Sequence, residues 1–156
     1  VTGVDVTMEL FKVAATHQIP VYCLGAAPGV AQRAIDNVSA QVGVLNIAGI
    51  HDGFFDSAEE QEIIKSIAES KAKLVFVALG VPKQEQWIAE KLSHLNGVVA
   101  IGIGGSFDVL AGNIPRAPEW MQQNRLEWLY RLYLEPQRIG RMLAIPKFMW
   151  TVIRNK

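Results

Sequence analysis

Short apolar runs, each closed by small or polar residues and followed by helical periodicity, recur along the first two thirds of this chain and restrict its fold class. They fall at residues 20–25, 42–50, 74–79 and 98–103. The third, LVFVAL, is the clearest: apolar, rich in β-branched residues and ended by Gly80. Helical spacing fills the gaps. Residues 5–16 place Val6, Leu10 and Val13 on one face, residues 28–38 and 59–70 form two further helices, and residues 83–92 turn Trp87, Ile88 and Leu92 inward. Strands alternating with helices at this spacing predict an α/β fold, an open and mainly parallel sheet with helices on both faces. The runs at 74–79 and 98–103 are too apolar for a half-exposed sheet, so both are expected inside it as neighbours.

After Pro118 only helical periodicity remains, at about 119–134, 136–144 and 147–155. The expected organisation is therefore a Rossmann-like body over 1–118 and a helical appendage over 119–156. Fifteen basic and fifteen acidic residues cancel, yet the charge is not evenly spread. Residues 113–156 carry a net +5, and the rest carries −5. A basic tail on a mildly acidic body suits an anionic small molecule or an anionic membrane surface; a nucleic-acid partner is not expected. The single cysteine, Cys23, lies in an apolar run and reads as a small buried hydrophobe. No stretch has the length of a membrane span, and no signal peptide is visible. The chain opens on Val1 rather than Met, and we expect an N-terminal part of a longer protein to precede it.

In open α/β sheets ligands bind beyond the carboxyl ends of the strands. The loops at 25–29, 50–55, 80–85 and 104–108 occupy such places and bring His51, Asp52, Lys83, Gln84, Glu85, Ser106 and Asp108 to one edge. Gly104, Gly105 and Ser106 form a small-residue turn whose backbone N–H groups can approach an anion. Asp108, in the following first helical turn, fits either a ligand contact or a carboxylate that stabilises the helix start. Arg116 stands on a stiff segment between Pro115 and Pro118. Arg131, Arg138 and Arg141 crowd with Trp128, Tyr130 and Tyr133; such arginines suit a diphosphate or phospholipid headgroups, or simply a solvated face. His51 has no partner at metal-ligand spacing, so zinc is not expected. Residues 102–107, GIGGSF, begin like a dinucleotide fingerprint but end in Phe, and no phosphate-binding GxxxxGK[ST] occurs.

The runs GVPKQEQW (80–87), GIGGSFDVLAG (102–112), RAPEW (116–120) and LEWLYRLYLEPQRIGR (126–141), with VTGVD at the start and LGAAPGVA at 24–31, are very similar to the WecG/TagA/CpsF family of bacterial glycosyltransferases. The resemblance covers essentially the whole chain. It implies an inverting transferase that moves an N-acetylmannosamine-type sugar, or its uronic acid, from a UDP donor to a polyprenyl-diphosphate-linked N-acetylglucosamine. The work is done at the cytoplasmic membrane face without an obligatory metal or other cofactor, in teichoic acid, common antigen, capsule or exopolysaccharide synthesis. Gln84 and Asp108 match active-site positions of the family, and Arg131, Arg138 and Arg141 match C-terminal arginines that close over the donor diphosphate. Gly53, Phe54, Gly104, Gly105, Ser106 and Arg116 complete the expected substrate-binding set. Phe54 stands where the family usually has Tyr, which removes a hydroxyl. The aspartate proposed as catalytic base lies upstream of the TG-D motif, before Val1, so Asp108 is the one in-chain carboxylate in contention.

Two rival readings remain at this stage: a non-catalytic nucleotide-sugar-binding module, and a membrane-surface scaffold held by the C-terminal helices. In the leading reading the helix with Trp128 and Arg131 acts as a lid near Gly104, while residues 145–153 carry an apolar strip to the membrane. The sequence leaves the sugar, the pathway and any homo-oligomer open.

Overall fold

The computed structural model describes residues 2–124 and 126–134. Their order is α1 (Gly3–His17), β1 (Val21–Gly25), α2 (Val30–Val42), β2 (Ile47–His51), α3 (Ser57–Glu69), β3 (Leu74–Ala78), α4 (Lys83–Trp87), β4 (Val99–Gly102), α5 (Ser106–Leu110), α6 (Glu119–Gln123) and α7 (Glu127–Leu134). Five π-helical residues, Ile88–Leu92, continue α4. The chain divides into two compact units, Val1–Ile114 and Pro115–Lys156.

In the first unit the four strands are all parallel and lie in the order β2-β1-β3-β4. β1 and β3 are buried along their full length, as expected of central strands covered on both sides. Alternation along each strand divides its side chains between two cores. Val21, Cys23, Leu74, Phe76 and Ala78 meet Phe11 and Ala14 of α1, five residues of α2, and Phe107 of α5 on the first face. Tyr22, Leu24, Val75 and Val77 meet Ile63 and Ile67 of α3, Trp87 of α4 and Leu92 on the second. Each buried Val, Leu, Ile or Phe among them contributes about 1.5–3 kcal/mol by leaving water. Burial also raises the Cys23 thiol pKa far above its usual value, so this cysteine packs as an apolar group.

Three local expectations are corrected. Residues 42–46 are not strand: the i, i+4 series Val30, Ala34, Val38 and Val42 keeps the helical period, and α2 stops only at Gly43, whose φ is 96°. The buried face of α1 is Val4, Thr7, Phe11 and Ala14, while Val6 and Val13 are exposed. The helix is rotated so that its largest side chain, Phe11, packs on Phe76 with ring centroids 4.6 Å apart. The run at 98–103 is a neighbour of β3 but not interior. Among the described residues β4 is the last strand of the sheet, and Val99 is 65% exposed. Its apolar density reports what the strand can bury, whereas its position is set by the crossovers.

Two helices start on reciprocal caps. In α1, Thr2 accepts from the Asp5 N–H, while the Asp5 carboxylate accepts from the Thr2 N–H, so TG-D is at least a capping box. In α3, Asp56 accepts from the N–H groups of Ala58 and Glu59, and the Glu59 carboxylate accepts from the Asp56 N–H. Replacing Asp56 by Ala is expected to cost about 1 kcal/mol, read as a lower urea midpoint with an unchanged slope.

Within the second unit the described residues form α6 and α7. Gln122 donates to the Ala117 carbonyl at 2.6 Å, and Arg116 Nε lies 3.5 Å from Glu127 Oε1. Trp120, Trp128 and Tyr133 are exposed. No helix among the described residues is long and apolar enough to cross a membrane.

Candidate functional site

The strand order reverses between β1 and β3. The chain leaves β1 for β2 on one side, then returns past β1 to β3 on the other. In an open parallel sheet this switch point makes a crevice at the carboxyl edge. The loops around it are joined pairwise through backbone groups. The Gly53 N–H after β2 donates to the Ala26 carbonyl at 2.8 Å, and the Ala26 N–H after β1 donates to the Ala78 carbonyl at 3.0 Å. Ala26 itself has φ 62°, a conformation costly for a residue with a Cβ, and these two bonds hold it there.

The next link is a side chain. Gln84, in the first turn of α4, is 3% exposed. Its Oε1 accepts from the Gly104 N–H at 3.0 Å, and its Nε2 donates to Glu85 Oε1 at 2.8 Å. The loop after β3 is thereby tied to the loop after β4. Gly102 permits this approach, since a Cβ there would stand 2.5 Å from Gln84 Nε2.

The other expected residues are placed as follows. The Ser106 hydroxyl is buried and donates to the Ile103 carbonyl at 2.7 Å, closing its own turn. Gly105 precedes α5 as its N-cap residue. Asp108 is half-buried on α5, and its Oδ1 accepts from Asn113 Nδ2 at 3.3 Å. It therefore ties α5 to the following turn, and its place in the first turn keeps its charge at the helix start. Phe54 is 72% exposed, and its N–H donates to Asp52 Oδ1 at 2.8 Å. Arg116 belongs to the second unit with Glu127. Arg131 lies in α7, whereas Arg138 and Arg141, like residues 145–153, lie outside the described residues.

Sequence reasoning underused two features. One is the start of α2, where Gly29 is the N-cap residue with φ 75° and no side chain caps the helix. The string GAAPG between a strand and an uncapped helix was the available signal. The other is the support of α4: Trp87 Nε1 donates to Glu60 Oε1 at 2.8 Å, and Lys91 Nζ lies 3.0 Å from Glu60 Oε2. The bond from Lys91 holds the Glu60 carboxyl below its usual pKa; burial opposes this, and the bond from Trp87 adds to it. A lowered pKa keeps the pair charged at neutral pH, and its stabilisation is lost as the pH falls through the folded-state value. Nothing local in the sequence joined Glu60 to a tryptophan 27 positions later. Phe55 packs edge-on against Trp87 and lies under Lys83 Nζ, 5.5 Å from the ring centre, which brings the loop after β2 into the same support.

Chemically, this edge offers a fixed amide, a half-buried carboxylate, and an uncapped helix start whose dipole favours anions. Residues 1–156 match the family described as Glycosyl transferase WecG/TagA/CpsF. A Bacillus subtilis (strain 168) protein named N-acetylglucosaminyldiphosphoundecaprenol N-acetyl-beta-D-mannosaminyltransferase is 40% identical over 156 residues, which are 100% of this chain and 60% of the relative. A protein of the same name from Bacillus spizizenii is 40% identical over 157 residues, again 100% of this chain and 60% of the relative. One from Staphylococcus aureus (strain NCTC 8325 / PS 47) is 33% identical over 156 residues, 100% of this chain and 61% of the relative. The chain thus spans about 60% of the length of the curated relatives it matches.

Proposed function

This chain belongs to the WecG/TagA/CpsF glycosyl transferase family, and from that premise we propose that it forms the donor-binding part of an inverting transferase. Its substrates in this reading are a UDP-linked N-acetylmannosamine-type sugar and a polyprenyl-diphosphate-linked N-acetylglucosamine. The observation that carries the reading is the Gln84–Gly104 link, which joins the family's PKQE (82–85) and GIGGSFD (102–108) segments at the carboxyl edge of the sheet. The acceptor is taken from the relatives' names, which specify N-acetylglucosaminyldiphosphoundecaprenol.

The donor diphosphate lies over the crevice in this reading, facing the uncapped start of α2. The Gly104 N–H is already held by Gln84 and the Ser106 hydroxyl by Ile103, so these two groups shape the turn while Gly105 and Asp108 face the donor. Inversion requires one base to take the acceptor hydroxyl proton as the sugar is transferred. We assign that base to residues preceding Val1 in the full-length protein, with Asp108 as a binding group. Negative charge grows on the departing UDP, and Arg131, Arg138 and Arg141 neutralise it; this makes a metal unnecessary. Gly53, Phe54 and Arg116 complete the substrate set. The aromatic and basic tail lies on the anionic inner face of the membrane, where the lipid-linked acceptor is found.

The test uses the full-length protein with UDP-N-acetylmannosamine and a polyprenyl-diphosphate N-acetylglucosamine, with and without a chelator. A β-linked disaccharide lipid formed at the same rate in both supports the proposal. UDP binding without product favours a binding module, and vesicle binding without either favours a scaffold. Replacing Asp108 by Ala is expected to weaken UDP binding at least tenfold by calorimetry. The melting temperature should move by only a few degrees, because the bond lost, to Asn113, is long and exposed. A large fall in melting temperature with unchanged UDP affinity would make Asp108 structural.

A further inference from the structure

β4 ends the sheet, and its outer edge is open among the described residues. The N–H groups of Val99 and Ile103 donate to the carbonyls of Lys73 and Val77, on the β3 side. Alternate residues of a parallel strand face the same neighbour. Ile101 therefore turns toward β3 as well, while Ala100 and Gly102 present both N–H and C=O outward. Natural sheets protect such an edge with charges, proline or a bulge. Residues 98–103, VVAIGI, contain no charged residue and no proline, and their pairing with β3 runs without a register shift.

The crossovers indicate what belongs there. The step from β1 to β2 runs toward the β2 edge through α2, on the first face. The steps from β2 to β3 and from β3 to β4 run the other way, through α3 and α4, on the second face. All three share one hand, as parallel crossovers do in about 98% of cases. α1 packs on the first face, through Phe11 and Ala14, and leads into β1. A parallel strand feeding α1 with that hand must come from the β3–β4 side of β1, where the first unoccupied position is beyond β4. The start of α1 is also at the right end of the sheet: a Cβ on Gly3 would lie 3.9 Å from Ser106 Oγ, beside the carboxyl end of β4. A strand parallel to β4 finishes at that same edge. The relatives carry about 40% of their length outside the match, enough to supply one.

We propose that β4 pairs with a fifth parallel strand contributed by residues preceding Val1 in the full-length protein. The pairing satisfies Ala100 and Gly102, covers Val99, and places the loop after the new strand beside Gly104 and Ser106. The inference rests on the topology and stands apart from the proposed activity.

Site-resolved hydrogen exchange on the full-length protein tests it. The Ala100 and Gly102 amides should exchange within about tenfold of Ile101, which pairs with β3; exchange at least 100-fold faster overturns the proposal. Removal of everything before Val1 should abolish the protection of Ala100 and Gly102. Protection that persists in the shortened chain overturns the proposal, and its dependence on protein concentration then shows whether a second copy covers the edge. If the shortened chain does not fold, Ala100→Pro in the full-length protein decides. That change removes an outward N–H and fixes φ, which an open edge strand tolerates and an interior one does not, so a fall in melting temperature of several degrees supports the fifth strand, and an unchanged value overturns it.

Discussion

Turnover by the full-length protein is expected to fall at least about 100-fold when Gln84 is replaced by Ala, with a stability loss of only about 1–3 kcal/mol. The amide fills the space above Gly102 and satisfies the Gly104 N–H, so its removal leaves that donor unpaired and frees the loop after β4. Small displacements of a reacting group cost rate much more steeply than stability. Glu85→Gln separates the roles, because a neutral carbonyl oxygen can still accept the hydrogen bond that Gln84 Nε2 donates. This variant should retain turnover within about tenfold of the unchanged protein. If Gln84→Ala itself retains turnover within tenfold, the link between the two loops is structural and the chemistry lies elsewhere.

The largest effect on folding is expected at Gly25. Its φ of 117° disfavours any side chain, and a Cβ would run into the backbone carbonyl of Ala78. That carbonyl accepts from the Ala26 N–H, so the clash falls on the bond that joins the loops after β1 and β3. Gly25→Ala should cost about 3 kcal/mol or more, from backbone strain and displaced main chain together. Total stability for such a domain is about 5–15 kcal/mol. Gly43→Ala is the control. Its φ is 96° and its ψ −168°, yet nothing lies within 4 Å of the added Cβ, so only backbone strain of about 1–3 kcal/mol remains. Equal urea midpoints for the two variants would show that the loops around the crevice can relax.

The fold class and most of the element order were legible because they follow from local periodicity. LVFVA is apolar at every position, and only a strand covered on both faces can use such a run. The carboxyl-edge loops were legible for the same reason, since a strand followed by Gly and then a helix fixes where its end lies. The limits of β2 and the buried face of α1 were not legible. Gly43 and Val42 decide the first through an extra helical turn, and contact between Phe11 and Phe76 decides the second.

The sequence by itself determined that this is an alternating α/β chain, and the long motifs around Gln84 and Asp108 assigned it to a family. Only the tertiary structure decided that β4 is the last strand among the described residues, that Gln84 reaches Gly104, and that Glu60 holds Trp87 and Lys91. It also showed that the Ser106 hydroxyl turns inward to Ile103. The physical reason is range. Periodicity and capping act over one or two turns and are written in neighbouring residues. Strand order and side-chain partners depend on crossovers that bring together groups 20 or 27 positions apart, and no local pattern encodes them.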